Sequence, residues 1–446
     1  MAGVRAIALG LLMAAALGGA PTACAAATAD PEGVLKQITG LREARLAEAR
    51  SGGRPFDADA VRKEAAALAS SAVEGVDARS VAPAESMTWA RLFSEAGRPR
   101  ETADLAARYL ETGPEPTARF EAQMLRLDAL ADQGDGKRIA VLLPTVTAPD
   151  PAAGGLLVSR VTRRYAPILA RAAGLPETLR ILERVERGIP RDDPSRAARE
   201  RLDAEKERRR KLNQPPVQNE AEQIATFERQ VRGSWAIRGY FFAQARADLL
   251  AAAGRKADAV RVLDAFTSGL GPDDAVARRA AGSARRILTL PGTETPELPA
   301  LDTIGTYQGM RALRGKVVVL DFFAHWCGPC VASIPDMRKL YDDLQGRGLA
   351  LLGVTEYQGW YGTEGRAKRD MPKAVERERM RAFAGEHGVT WPIVFVERPV
   401  SEAFGVQAIP HVVVIDRAGK VRSMDVGYSP ESFARFRAEI EGLLRG

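Results

Sequence analysis

Val317-Val318-Val319-Leu320-Asp321-Phe322-Phe323-Ala324-His325-Trp326-Cys327-Gly328-Pro329-Cys330 is the stretch that decides the fold of the C-terminal part of this 446-residue chain. The run Val317 to Phe323 is β-branched and aromatic, and reads as a buried strand. Beyond Cys330 the apolar residues Val331, Ile334, Met337, Leu340, Tyr341 and Leu344 recur at helical spacing, which predicts a helix to Gln345. Two cysteines separated by two residues at a strand-to-helix turn can close a small, readily reversed disulfide. Unpaired N–H groups and the dipole at a helix start favour the thiolate of the first cysteine. That combination points to thiol–disulfide exchange.

Working outward, the sequence predicts a strand at Leu349 to Val354, a charged helix at Pro372 to Glu386, and strands at Ile393 to Val396 and His411 to Ile415. Asp416-Arg417-Ala418-Gly419 reads as a hairpin turn into a strand from Lys420 to Gly427, and Ser429 as the N-cap of a closing helix from Pro430 to Leu444. Strands alternating with helices and ending in a hairpin give a mixed sheet covered by helices.

With these residues in place the chain resembles the thioredoxin superfamily, and within it the exported TlpA/ResA-like thiol–disulfide oxidoreductases, over roughly residues 298–446. Asp321, six residues before Cys327, matches the buried aspartate of thioredoxins. Pro335 matches the helix-kinking proline, Ile409-Pro410 the cis-proline step facing the disulfide, and Gly315-Lys316-Val317-Val318-Val319 the family's first core strand. One position departs. TlpA/ResA-like proteins often carry glutamate three residues after the second cysteine, where this chain has Ser333, so the acid–base arrangement is nearer to thioredoxin than to the haem-maturation branch.

The resemblance implies an α/β thioredoxin-like fold and a division of labour. Cys327 is the exposed attacking thiol, and Cys330, one turn in and more buried, resolves the mixed disulfide. Asp321 accepts the Cys330 proton, because burial raises a carboxylate's pKa towards neutrality. Pro410 stands beside the sulfurs, the Ile409 backbone pairs with an extended substrate, and Trp326 shields one side of the disulfide. The substrates are protein thiols and disulfides. The Gly328-Pro329 dipeptide resembles that of reducing thioredoxins, and a reductase in an oxidising compartment implies a membrane electron donor of the DsbD/CcdA type.

Other readings compete with these roles. A zinc site needs four ligands, and the chain offers one further cysteine and three histidines, so neither a metal nor a cofactor is expected. Peroxiredoxins place threonine or serine three residues before the reactive cysteine, where this chain has Ala324. His325 either tunes the thiolate by charge or is a solvated loop residue, and His411 either faces the sulfurs or is a strand histidine. Tyr357, Trp360 and Tyr361 either meet a partner or cover a sheet edge.

Residues 1–29 read as a secretory signal: Arg5 in a short basic start, an apolar Ala6 to Ala20, then small residues. This places the protein in the periplasm or cell envelope. Cys24 keeps a lipoprotein signal open, although Pro21 stands where such signals usually have leucine. If cleavage removes Cys24, no spare thiol remains to scramble with the 327/330 pair. The net charge of +7 is spread as arginine among glutamate and aspartate, which suits solvated helices better than nucleic-acid binding.

Residues 30–288 are rich in alanine, leucine, arginine and glutamate and predict an all-α domain. Gly97, Gly134, Gly174 and Gly254 each fall between two amphipathic segments, at spacings of 37, 40 and 80 residues. The region resembles degenerate tetratricopeptide-type repeats, a curved surface for a protein partner; an irregular helical domain without a binding role is the other reading. Asn213-Gln214-Pro215-Pro216 is a break, and residues 289–300 read as a linker to the thioredoxin-like domain at 301–446. Two functions compete: an exported thiol–disulfide oxidoreductase, and an envelope interaction scaffold with a secondary redox domain.

Overall fold

The computed structural model describes residues 30–52, 57–362, 366 and 369–445. Residues 1–29, read above as a signal, and Cys24 among them, lie outside the described residues. The chain divides into two compact units at Gln133/Gly134.

The first unit is helical: α1 (Pro31–Gly52), α2 (Ala58–Val73), α3 (Ser86–Glu95), α4 (Pro99–Glu111) and α5 (Pro116–Asp132). Its core gathers Ile38, Ala65, Ala69, Trp89, Phe93 and Leu105 from the first four helices. Small residues at Ala65 and Ala69, both fully buried, let α2 approach its neighbours closely. The turn between α3 and α4 is made by Gly97 at φ 68°, a left-handed conformation that glycine adopts without steric cost.

The second unit opens with α6 (Gly136–Leu142), α7 (Pro151–Arg160), α8 (Ala166–Ala173), α9 (Leu175–Gly188), α10 (Pro194–Lys211), α11 (Glu220–Ala252), α12 (Lys256–Ser268) and α13 (Ala275–Thr289), with a π-helical turn at Val161–Tyr165 between α7 and α8. Glycines 134, 174 and 254 stand at positive φ between consecutive helices, as Gly97 does. No glycine serves α10 and α11; Asn213 and Asn219, each at φ 53°, turn the chain there. Among the described residues no helix is long and apolar enough to cross a membrane.

The same unit continues into a sheet flanked by helices: β1 (Asp302–Ile304), β2 (Val317–Phe322), α14 (Gly328–Leu344), β3 (Leu349–Thr355), α15 (Lys373–His387), β4 (Ile393–Phe395), α16 (Arg398–Ala403), β5 (His411–Ile415), β6 (Val421–Val426) and α17 (Pro430–Arg445). The strand order is β1-β4-β3-β2-β5-β6. β2, β3 and β4 run parallel, while β5 is antiparallel to both β2 and β6. The chain is therefore a thioredoxin-like α/β domain preceded by a large all-helical region. β1 and α16 are too short to be legible as periodic patterns. α14 begins at Gly328 rather than Cys330, because Pro329 has no N–H to leave unpaired in the first turn.

β2 is buried along its whole length, and its alternation sorts the two faces. Val317, Val319 and Phe323 meet α14, α15 and α17 through Ile334, Met337, Phe383 and Ile440. Val318, Leu320 and Phe322 meet Leu298, Met310 and Phe404 on the other face. The stretch read as a linker is laid against this sheet. Gly292 N–H donates to Val421 O (2.7 Å), Val421 N–H to Thr293 O (2.9 Å) and Thr295 N–H to Gly419 O (2.9 Å). Leu298 is buried beneath the sheet.

Gly405, between α16 and β5, has φ 73°, and a Cβ there would stand 3.2 Å from Ser283 O and 3.3 Å from Arg286 Cβ of α13. Gly405→Ala should combine left-handed strain with a crowded contact and lower stability by about 1–3 kcal/mol. Urea denaturation checks this, and an unchanged midpoint would show that the segment before β5 does not need to approach α13 so closely.

Candidate active site

β2 carries Asp321 between Val319 and Phe323, on the sheet face of the cluster that also contains Cys327 and Cys330. The chain leaves β2 with Phe323 N–H still donating to Val354 O (3.0 Å), then turns at Cys327, which is the N-cap of α14. Cys330 N–H points at Cys327 Sγ (3.3 Å), so the sulfur occupies the place of a capping oxygen. The two cysteines are joined by a disulfide.

The sulfurs are less accessible than the sequence implies. Cys327, expected to be exposed, is 5% exposed, against 2% for Cys330. The reason is the segment before β5: the Ile409 carbonyl oxygen lies 3.6 Å from Cys327 Sγ, and the Ile409–Pro410 peptide is cis.

Asp321 is 4% exposed, and its Oδ1 has no hydrogen-bond partner. With nothing to offset desolvation, burial pushes its carboxyl up to about 7. Ser333 is buried and donates its hydroxyl to Cys330 O (2.8 Å), so it is tied into the helix.

The histidines take different places. His411 is fully buried on β5, edge-on to Phe322 (5.9 Å), and pairs across the ladder with Phe322. It shares its face of β5 with Val413 and Ile415 of the cluster on the far side of the sheet, so it faces away from the sulfurs, and burial brings its pKa down to about 4. His325 is half-buried between Trp360 (4.8 Å) and Tyr361 (4.6 Å), and burial holds its pKa below the ordinary histidine value. A neutral ring there offers no charge to the thiolate.

Trp326 is half exposed; its indole N–H donates to Gln358 Oε1 (3.2 Å) and its ring stacks on Trp360. Trp360 is itself buried, and Tyr357 stacks on Phe395 at 4.4 Å. The loop carrying these rings is held by Glu376, which is 1% exposed and accepts from Gln358 N–H (2.7 Å) and Gly359 N–H (2.9 Å). Sequence reasoning missed Glu376, because one acid in a charged helix carries no sign that it turns inward. It also missed Gln407, whose Nε2 donates to Ala280 O and whose Oε1 lies 3.2 Å from the Tyr240 hydroxyl, a donor it shares with Gln244 Oε1 (2.8 Å).

The redoxin family model matches residues 289–441. Thiol-disulfide oxidoreductase ResA of Geobacillus thermodenitrificans is 31% identical over 137 residues, covering 30% of this chain and 69% of that protein. ResA of Bacillus subtilis is 28% identical over 142 residues, covering 32% of this chain and 70% of that protein. Among solved structures, a putative thiol:disulfide interchange protein DsbE from Chlorobium tepidum is 25% identical, with 34% of this chain and 97% of that one covered and a TM-score of 0.28. A disulfide-bonded cysteine pair at the start of α14, together with this degree of identity across most of the relatives' length, establishes that the chain belongs to the ResA-like thiol–disulfide oxidoreductases.

Proposed function

We propose that the protein is an exported protein-disulfide reductase working through Cys327 and Cys330. The observation that carries this reading is the placing of one sulfur as helix cap, with Cys330 N–H directed at it, on the same sheet face as an unpartnered buried carboxylate. In the reduced protein the Cys327 thiolate attacks one sulfur of a substrate disulfide. That S–S bond breaks, the other substrate sulfur leaves as a thiolate, and a mixed disulfide forms. Asp321 then takes the Cys330 proton, and the resulting thiolate attacks Cys327 Sγ. The second substrate thiolate leaves, and the 327–330 disulfide closes with two electrons passed to substrate.

Trp326 and Ile409 line the approach, with Pro410 beside the sulfurs. Renewal of the dithiol requires electrons from outside, and a membrane donor of the DsbD/CcdA type is the source proposed. The amino-terminal segment 1–29, read as a signal, supports a periplasmic or envelope location. Glycine-turned helix pairs at 97, 134, 174 and 254 support a repeat-like helical surface for a protein partner.

Insulin-disulfide reduction tests the reading. Cys327→Ser should abolish turnover, and Cys330→Ser should trap a mixed disulfide with substrate. Wild-type turnover no better than that of the double variant would end the enzyme assignment. The reduction potential should fall at about −270 to −200 mV when equilibrated with glutathione; a value near −120 mV would reverse the direction of electron flow.

Asp321 has its own signature. Its native carboxyl titrates near 7 against 3.8 when unfolded, so between those values the native state holds the extra proton. Stability therefore falls as pH rises through this window, by up to about 4 kcal/mol in the oxidised protein. Asp321→Asn should raise the urea midpoint at pH 8 and leave it nearly unchanged at pH 4. The same variant should slow release from the mixed disulfide by on the order of 10²-fold and remove the inflection near neutrality from its pH profile. A stability gain without a kinetic loss would assign Asp321 no part in proton transfer.

A further inference from the structure

Gln407 stands at the junction of two depressions. On one side is a cleft of about 180 Å³ beside the disulfide, bordered by Trp326, Thr355, Arg398 and Ile409. On the other is a groove of about 610 Å³ between α8 and α11, walled by Pro167, Phe241, Leu249 and Ala252, with Asp248 at its side. Gln407 lines both. Its side chain is fixed, bridging Tyr240 of α11 and the Ala280 carbonyl of α13. Gly405 packs against α13 two residues earlier, so the segment leading to Ile409 is set in place by the helical region of the same compact unit.

The backbone of this segment is open. Among the described residues, the N–H and C=O groups of Gln407 and Ala408 make no hydrogen bond, and both residues are exposed. Such a row of free donors and acceptors is what an added extended strand satisfies. Because Gln407 lines both depressions, a chain paired along this segment with its cysteine at Cys327 and continuing past Gln407 would meet the edge of the α8–α11 groove. That groove has an apolar part formed by Pro167, Phe241, Leu249 and Ala252, is flanked by Arg163, Gln244 and Asp248, and is large enough to hold side chains.

We infer that the α8–α11 groove is a specificity subsite of the disulfide-exchange centre, occupied by residues flanking the cysteine of an extended polypeptide substrate. This rests on the function proposed above and narrows it. The substrate class is an unfolded or locally extended cysteine-bearing chain, in preference to a small thiol such as glutathione. The helical region is then a working part of the substrate cleft.

The test uses the pre-reduced full-length protein and symmetrical disulfides of two peptides, one of three residues and one of about twelve with apolar residues on both sides of a central cysteine. Released thiol is measured by rapid quench. The wild type should favour the longer peptide by at least about tenfold in kcat/KM, the gain residing in KM. Ala252→Trp and Pro167→Trp, two independent substitutions at exposed groove positions, should bring the long-to-short ratio close to one. A wild-type ratio near one, or variants that keep the wild-type ratio, overturns the subsite while leaving the reductase intact. Failure of the wild type to reduce either peptide removes both. If Ala252→Trp instead changes the sedimentation of the protein alone, the occupant is a second copy of the chain and the inference falls.

Discussion

A single amide directed at a single sulfur organises the thioredoxin-like domain of this molecule. Cys330 N–H reaches Cys327 Sγ where a serine or aspartate would ordinarily cap a helix. The cap sets where α14 begins, places Cys330 inside its first turn, and keeps the two sulfurs within bonding range. A polar group in that place would cap as well, but it could not exchange bonds. Structure and chemistry therefore draw on one atom, and the fold around it has to hold that atom still while leaving it reachable.

The holding comes from β2 and from the segment before β5. β2 is buried on both faces, so its alternation is rigid, and Asp321 is committed to the layer that contains the sulfurs. Such a position keeps the carboxyl dry and its Oδ1 without a partner, which is why burial raises its pKa. The segment before β5 limits access. Ile409 lies over Cys327, and the Gln407 side chain is tied to α11 and α13. The segment over the sulfur is therefore tied to residues of the helical region.

The fold was legible wherever a local pattern carried it. β2, the cysteine turn, the apolar stripe of α14 and the hairpin at Asp416 to Gly419 all report through residues close in sequence. Glycines 97, 134, 174 and 254 marked helix turns because only a residue without Cβ adopts their φ at no cost. What stayed hidden depends on pairs far apart. Tyr240 and Gln407 are separated by 167 positions, and neither residue type announces the other. The side of the sheet taken by His411 follows from its register against Phe322, which is a tertiary fact. Cys327 read as exposed because a helix start usually is; the chain that covers it arrives 82 residues later.

One modest feature bears on how the redox domain can be isolated. Residues 292–295 act as a short selvedge along the opening of β6, satisfying Val421 and Gly419 that would otherwise face solvent as bare backbone. A fragment cut at residue 301 discards that hem together with Leu298 beneath the sheet. The excised piece would then offer a raw margin to its neighbours and tend to stick to them, whatever the health of its active site. A cut ahead of Leu290 keeps the border sewn.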